Sequence, residues 1–188
     1  RRIWVGDVMI GHGAQRRTEV RGVLGLRFPL GLGLEIQRAR RRLSSRVSLG
    51  DDLDRLLVAT GDDPDRVTLL CTPAVRQALL GVVKRWPDLR VSDTELRVDL
   101  GNPETGAEGL GTLVQALTEL AAALEAARDE VPAPDALLDS VDALRDLAER
   151  MSLAFDAALP ALRGTVDGTR IEVVPRRDGE GRFTADLL

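Results

Sequence analysis

The chain has 188 residues, 44% of them hydrophobic, with 26 basic against 30 acidic side chains and a net charge of −4. That length and apolar content support one sizeable core or two small ones and exclude a disordered polar chain. The near-balanced charge gives no global reason to bind nucleic acid, and a single cysteine, Cys71, excludes an intrachain disulfide.

Ile3, Val5, Val8 and Ile10 form a short β-like run, closed by a turn at Gly11-His12-Gly13. Thr18, Val20, Val23 and Leu24 suggest a second strand, which Pro29 interrupts because proline donates nothing to a ladder. Leu32, Leu34 and Ile36 alternate with Gly33, Glu35 and Gln37, the period-2 signature of a third strand with one buried face. A basic, serine-containing loop follows from Arg38 to Arg46. A fourth strand is expected over 53–60, ended by Gly61-Asp62-Asp63-Pro64.

Thr72-Pro73 is a helix start, with a hydroxyl cap and proline in the first turn. Val75, Leu79, Val82 and Trp86 then recur at helical spacing until Pro87. Leu89 and Val91, then Leu96, Val98 and Leu100, alternate with polar residues on either side of Asp93-Thr94, which predicts a hairpin. From Leu110 the period changes. Leu110, Leu113, Leu117, Leu120, Leu124 and Ala127 step by three and four, and Leu137, Val141, Leu144, Ala148, Met151, Phe155, Ala158 and Leu162 repeat the stepping after Pro132 and Pro134. Two such seams predict an antiparallel helical hairpin, ended or kinked by Pro160. Emptying Leu117 or Leu144 should then cost ~2–4 kcal/mol.

The ends of the chain resemble each other. Arg2-Ile3-Trp4-Val5 and Arg170-Ile171-Glu172-Val173 share Arg-Ile-x-Val, and each leads through turn residues to a basic residue and a threonine. This reads either as the first hairpin of a second unit or as a second hairpin returning to one sheet. Ile171 and Val173 should be buried on one strand face, as should Ile3 and Val5.

Little in the chain offers chemistry. His12 is the sole histidine and Cys71 the sole cysteine, so a zinc site would need carboxylates to complete it. His12 reads as a turn residue and Cys71, among leucines, as a core thiol. Gly31-x-Gly33 and Gly109-x-Gly111 lack the strand–loop–helix setting that cradles phosphates. The clusters Asp51-Asp52-Asp54 and Asp62-Asp63-Asp65 suit turns and helix caps and lack the ligand order of a calcium loop. No catalytic residue, metal or cofactor is therefore assigned. The strongest charge feature is Arg38, Arg40, Arg41, Arg42 and Arg46, a candidate anion-binding set for phosphates of lipid or nucleic acid. With no tyrosine, only three phenylalanines and two tryptophans, the chain is poor in platforms for stacking bases, which disfavours nucleic acid.

The block from Asp52 to Leu100 resembles a bacterial family of uncharacterised domains that are often attached to membrane-spanning helices. Asp52-Leu53-Asp54-Arg55-Leu56-Leu57-Val58, Asp63-Pro64-Asp65-Arg66-Val67, Leu69-Leu70-Cys71-Thr72-Pro73 and the hairpin 89–100 carry the likeness. It implies tethering near a membrane through segments outside this chain, and no catalytic residues. Lys84 is the only lysine, an arginine bias that reads as a GC-rich bacterial genome. No run approaches the roughly 18 apolar residues of a membrane span. With no initiator methionine and no signal segment, the chain reads as a piece of something longer, cytoplasmic in location.

The expected fold is α+β: a mainly antiparallel sheet from 3–37, 53–60 and 89–100, one covering helix, and a long antiparallel helical hairpin. The expected divisions are 1–104, 105–163 and 164–188. The expected function is a non-enzymatic interaction or scaffold module, its partner a protein or a second copy joined through an edge strand. The alternative is a phosphate-binding module in which the basic loop makes weak anionic membrane contact.

Overall fold

The computed structural model describes residues 3–10, 17–39, 47–100, 107–157, 159–177 and 183–187. It is α+β, with two antiparallel sheets and five α-helices among the described residues. The chain divides into two compact units, Arg1–Arg128 and Asp129–Leu188. That division falls after Arg128, at neither 104 nor 163.

The first unit is built on β1 (Ile3–Ile10), β2 (Arg17–Gly25), β3 (Glu35–Arg38), β4 (Leu57–Thr60), β5 (Leu89–Ser92) and β6 (Glu95–Asp99). They form one sheet in the order β1-β2-β6-β5-β3-β4, every neighbouring pair antiparallel. The expected hairpin at 89–100 is present, with Leu89 opposite Val98 and Val91 opposite Leu96. Register carries this apolar row across the sheet to Gly22 and Leu24 on one side and Ile36 and Ala59 on the other. Leu24, Ile36, Ala59, Leu89, Val91, Leu96 and Val98 are all buried.

The helices of this unit are α1 (Asp51–Asp54), α2 (Pro64–Leu70), α3 (Pro73–Arg85) and α4 (Ala107–Glu130). Thr72 caps α3 as expected, accepting the Val75 N–H at 3.3 Å, and Val75, Leu79 and Val82 are buried. The same kind of signal nine residues earlier makes α2. Asp63 accepts the Arg66 N–H at 3.2 Å and Pro64 opens the helix. On α4, Leu113, Leu117, Leu120 and Leu124 are buried. A Cβ on Gly22 would stand 3.0 Å from Leu113, so α4 approaches β2 where that strand carries no side chain. Glu125 accepts the Arg27 N–H at 2.9 Å and Arg128 donates to the Pro29 carbonyl at 2.8 Å, tying α4 to the loop after β2.

By length and composition alone α4 is apolar enough to cross a membrane, a test that the buried core helix of a globular unit also passes. It still holds no run of 18 apolar residues, as the sequence indicates, because Thr112, Gln115, Thr118, Glu119 and Glu125 interrupt it. Of its leucines, Leu113, Leu117, Leu120 and Leu124 are buried and Leu110 is half-buried.

Two strand boundaries also differ from expectation. The third strand starts at Glu35, not Leu32, because Gly31 (φ 70°) and Gly33 (φ 59°) turn the backbone into the left-handed region. Leu30, Leu32, Leu34 and Ile36 are nevertheless all buried. The fourth strand starts at Leu57, not at 53. Asp54 accepts both the Leu49 N–H and the Ser48 hydroxyl at 2.7 Å, which folds 51–54 into a helical turn.

The second unit holds a 3₁₀ turn (Asp135–Leu137), α5 (Leu138–Met151), β7 (Ala154–Asp156), β8 (Ala161–Val166), β9 (Thr169–Arg177) and β10 (Phe183–Leu187). The second helix of the expected hairpin was to run to Leu162, but α5 ends at Met151. Ser152 adopts a left-handed conformation (φ 54°), and the Leu153 N–H returns to the Ala148 carbonyl at 2.8 Å. Phe155 and Leu162 then face each other across β7 and β8, and Pro160 lies in the turn between them.

The final hairpin exists as β9 and β10, but it neither returns to the first sheet nor stands alone. It belongs to a four-stranded sheet ordered β10-β9-β8-β7. Ile171 and Val173 are half-buried rather than buried, Val5 is half-buried, and Ile3 is 43% exposed. Each Arg-Ile-x-Val segment thus opens an antiparallel hairpin, in two different sheets.

Candidate functional site

A strand points successive side chains to opposite faces. With Gly22, Leu24, Leu96, Val98, Leu89, Val91 and Ile36 on the inner face, the intervening residues define an outer one. Register aligns them in rows. One row runs Trp4, Val23, Arg97, Arg90, Gln37 across β1, β2, β6, β5 and β3. Two residues along the strands, a second row carries Gly25 and Glu95, then Ser92 and Glu35. On the other side of the first row, Arg21 opposes Asp99. Arg90, Glu35 and Glu95 are exposed, and Gln37, Ser92 and Arg97 half-buried. The side chains of Glu35, Gln37, Arg90, Ser92, Glu95 and Arg97 line an open groove of about 120 Å³.

The electrostatics of this face are uneven. Arg90 and Arg97 stand directly opposite each other, a like-charge pairing that a sheet does not favour. Arg97 is compensated by Asp99, with Nη2 to Oδ2 at 3.0 Å and Nε to Oδ1 at 3.3 Å. Arg21 donates to the same carboxylate. Burial alone would raise the Asp99 pKa, but the hydrogen bonds and charges of Arg97 and Arg21 outweigh it and hold the group below its ordinary value. Arg90, Glu35 and Glu95 have no ion pair among the described residues. Trp4 is 48% exposed on the same face, its ring lying over Gly6, where a Cβ would come within 2.7 Å of it.

Of the anion-binding candidates read from sequence, Arg38 ends β3 and pairs with Asp88 at 3.4 Å. Arg40, Arg41, Arg42 and Arg46 lie outside the described residues, as does His12. Cys71 is buried at the end of α2. Burial pushes its thiol up to about 11, opposed by the charge of Arg76 and assisted by Asp54. No group of three or more His, Cys, Asp or Glu suited to a metal occurs among the described residues. Sequence reading missed the outer face because cross-strand register, which sets Arg90 against Arg97, is not local information. The alternation of Arg90 and Arg97 with apolar residues was its only trace.

No family model matches the chain, and neither a curated protein nor a solved structure is significantly similar to it.

Proposed function

We propose that the chain is a non-enzymatic interaction module whose binding surface is the outer face of the six-stranded sheet. The observation that carries this reading is the row Trp4, Val23, Arg97, Arg90, Gln37. It places an exposed tryptophan and two arginines, the residue types most concentrated at protein interfaces, on one half-open surface. The two helices whose apolar faces are buried, α3 and α4, are read as the cover of the opposite face. A protein partner is favoured over a phosphate ligand because the groove mixes Arg90 and Arg97 with Glu35 and Glu95. A site for a polyanion would not carry two unpaired carboxylates.

A photo-crosslinking amino acid placed at Glu35, on this face, tests the reading in cells, with Leu69 on α2 (54% exposed) as the control position. The expected result is a protein adduct of fixed mass from position 35, lost on Arg90→Glu, and none from position 69. Adducts from neither position, or from 69 alone, overturn it.

A further inference from the structure

We infer that the partner on this face is a second copy of the same chain, docked sheet to sheet about a two-fold axis; this rests on the interaction reading above. The argument comes from register. The cationic row holds Arg97 and Arg90 with Gln37 beside them, and the anionic row holds Glu95 and Glu35 with Ser92 between them. The rows are two residues apart along the strands, about 7 Å. Consider a two-fold axis lying between two facing sheets, running across the strands midway between the rows. It reverses strand direction and preserves strand order. Each cationic row then lies over the partner's anionic row.

The pairs follow strand by strand. On β6, Arg97 faces Glu95 of the second copy. On β3, Gln37 faces Glu35. On β5, Arg90 faces Ser92 and lies between the two carboxylates of the neighbouring strands. The contacts are isologous, so each occurs twice. Sheets stack about 10 Å apart with strands nearly aligned, a gap that arginine and glutamate side chains span together. The dimer also supplies carboxylates to Arg90, which has none within its own chain among the described residues. Symmetric pairing along the edge strand β1 instead places no opposite charges of these rows together. An interface made of these exposed charged and polar rows is expected to be weak. Its exposed charge pairs are screened by salt.

Sedimentation equilibrium of the whole chain over a wide concentration range tests this. Wild type should show a concentration-dependent dimer that weakens as salt is raised. Glu95→Arg opposes like charges against its own copy and should weaken the dimer at least ~10-fold. Arg97→Glu should do the same. An equimolar mixture of the two variants should restore association, because both cross-contacts then join opposite charges. Should Arg97→Glu fail to fold beside Asp99, Gln37→Glu replaces it, with Glu35→Arg as its complement.

The inference falls if wild type stays monomeric at low salt, or if the complementary mixtures associate no better than either variant alone. It falls equally if Glu95→Arg dimerises like wild type at low salt. The crosslinker at position 35 separates the two readings. A monomeric protein that still yields an adduct with a different protein retains the interaction reading and loses the dimer. A monomer without adducts loses both.

Discussion

The Asp93 carboxylate accepts the backbone N–H of Gly33 at 2.9 Å, joining the β5–β6 turn to a segment sixty residues earlier. It also accepts from Leu34 at 2.9 Å and from Leu32 at 3.2 Å. With Gly31 and Gly33 in the left-handed region, three N–H groups converge on one anion. This contact holds Leu30, Leu32 and Leu34 in the core although the segment is not a strand. Asp93→Ala leaves those donors without their acceptor and should cost ~1–3 kcal/mol in urea unfolding. Asp93→Asn keeps one acceptor oxygen and should cost less. Equal losses for the two substitutions would show that the carboxylate is not the organising group.

Gly33 is constrained from its other side as well. A Cβ there would fall within 2.4 Å of the Asp62 side chain, and the φ of 59° is unfavourable for other residues. Gly33→Ala should therefore lose ~2 kcal/mol or more, of which ~1–2 kcal/mol is the left-handed conformation. Adding Asp62→Ala should recover the clash and leave the conformational part. A double variant no more stable than Gly33→Ala would mean that Asp62 simply moves aside.

Leu117 and Leu144 were indistinguishable as members of three–four seams, but the structure separates them. Leu117 is 1% exposed on α4, whereas Leu144 is only half-buried on α5. Leu117→Ala should cost ~2–4 kcal/mol, and Leu144→Ala about 1 kcal/mol or less. Chemical denaturation of both variants checks the ranking, and comparable losses would contradict it.

This pair also shows what was legible in the sequence. The hairpin 89–100, the start of α3 and the leucine face of α4 follow from local signals: alternation, a hydroxyl cap with proline, and one periodicity. The end of α5 did not follow, because Phe155, Ala158 and Leu162 continue the helical stepping and only the left-handed turn at Ser152 breaks it. The Asp93 contact is non-local and could not be read at all. The same holds for the outer face, whose rows depend on which strand pairs with which. The order β1-β2-β6-β5-β3-β4 brings distant segments together, and no local pattern specifies it.

Asp99 should contribute to the pH dependence of stability. Its pKa in the folded chain is depressed by Arg97 and Arg21, despite the opposing effect of burial. A carboxyl depressed by folding stabilises above its unfolded value, ~3.9, and loses that contribution as pH falls through the folded value. Asp99→Asn should therefore be less stable than wild type near neutrality, with the gap closing through the acid range. Urea midpoints measured across that range check it. A gap that stays constant with pH would mean that the charge on Asp99 is not what stabilises.

Cys71 should be inert in the native protein. The thiol is 1% exposed, and burial raises its pKa to about 11, so at neutral pH the nucleophilic thiolate is scarce and inaccessible. Arg76 lies close enough to favour the thiolate, and it donates to the Cys71 carbonyl at 2.8 Å, but its charge does not overcome desolvation. A disulfide-exchange reagent should label the single thiol slowly under native conditions and promptly in denaturant. The native labelling rate should follow the opening of the first unit's core. Asp93→Ala should then accelerate labelling by roughly the factor its stability loss implies, tenfold for about 1.4 kcal/mol, if opening is global. Rapid stoichiometric labelling of the native wild type would instead mark Cys71 as accessible, and the reading of it as a core residue would fail.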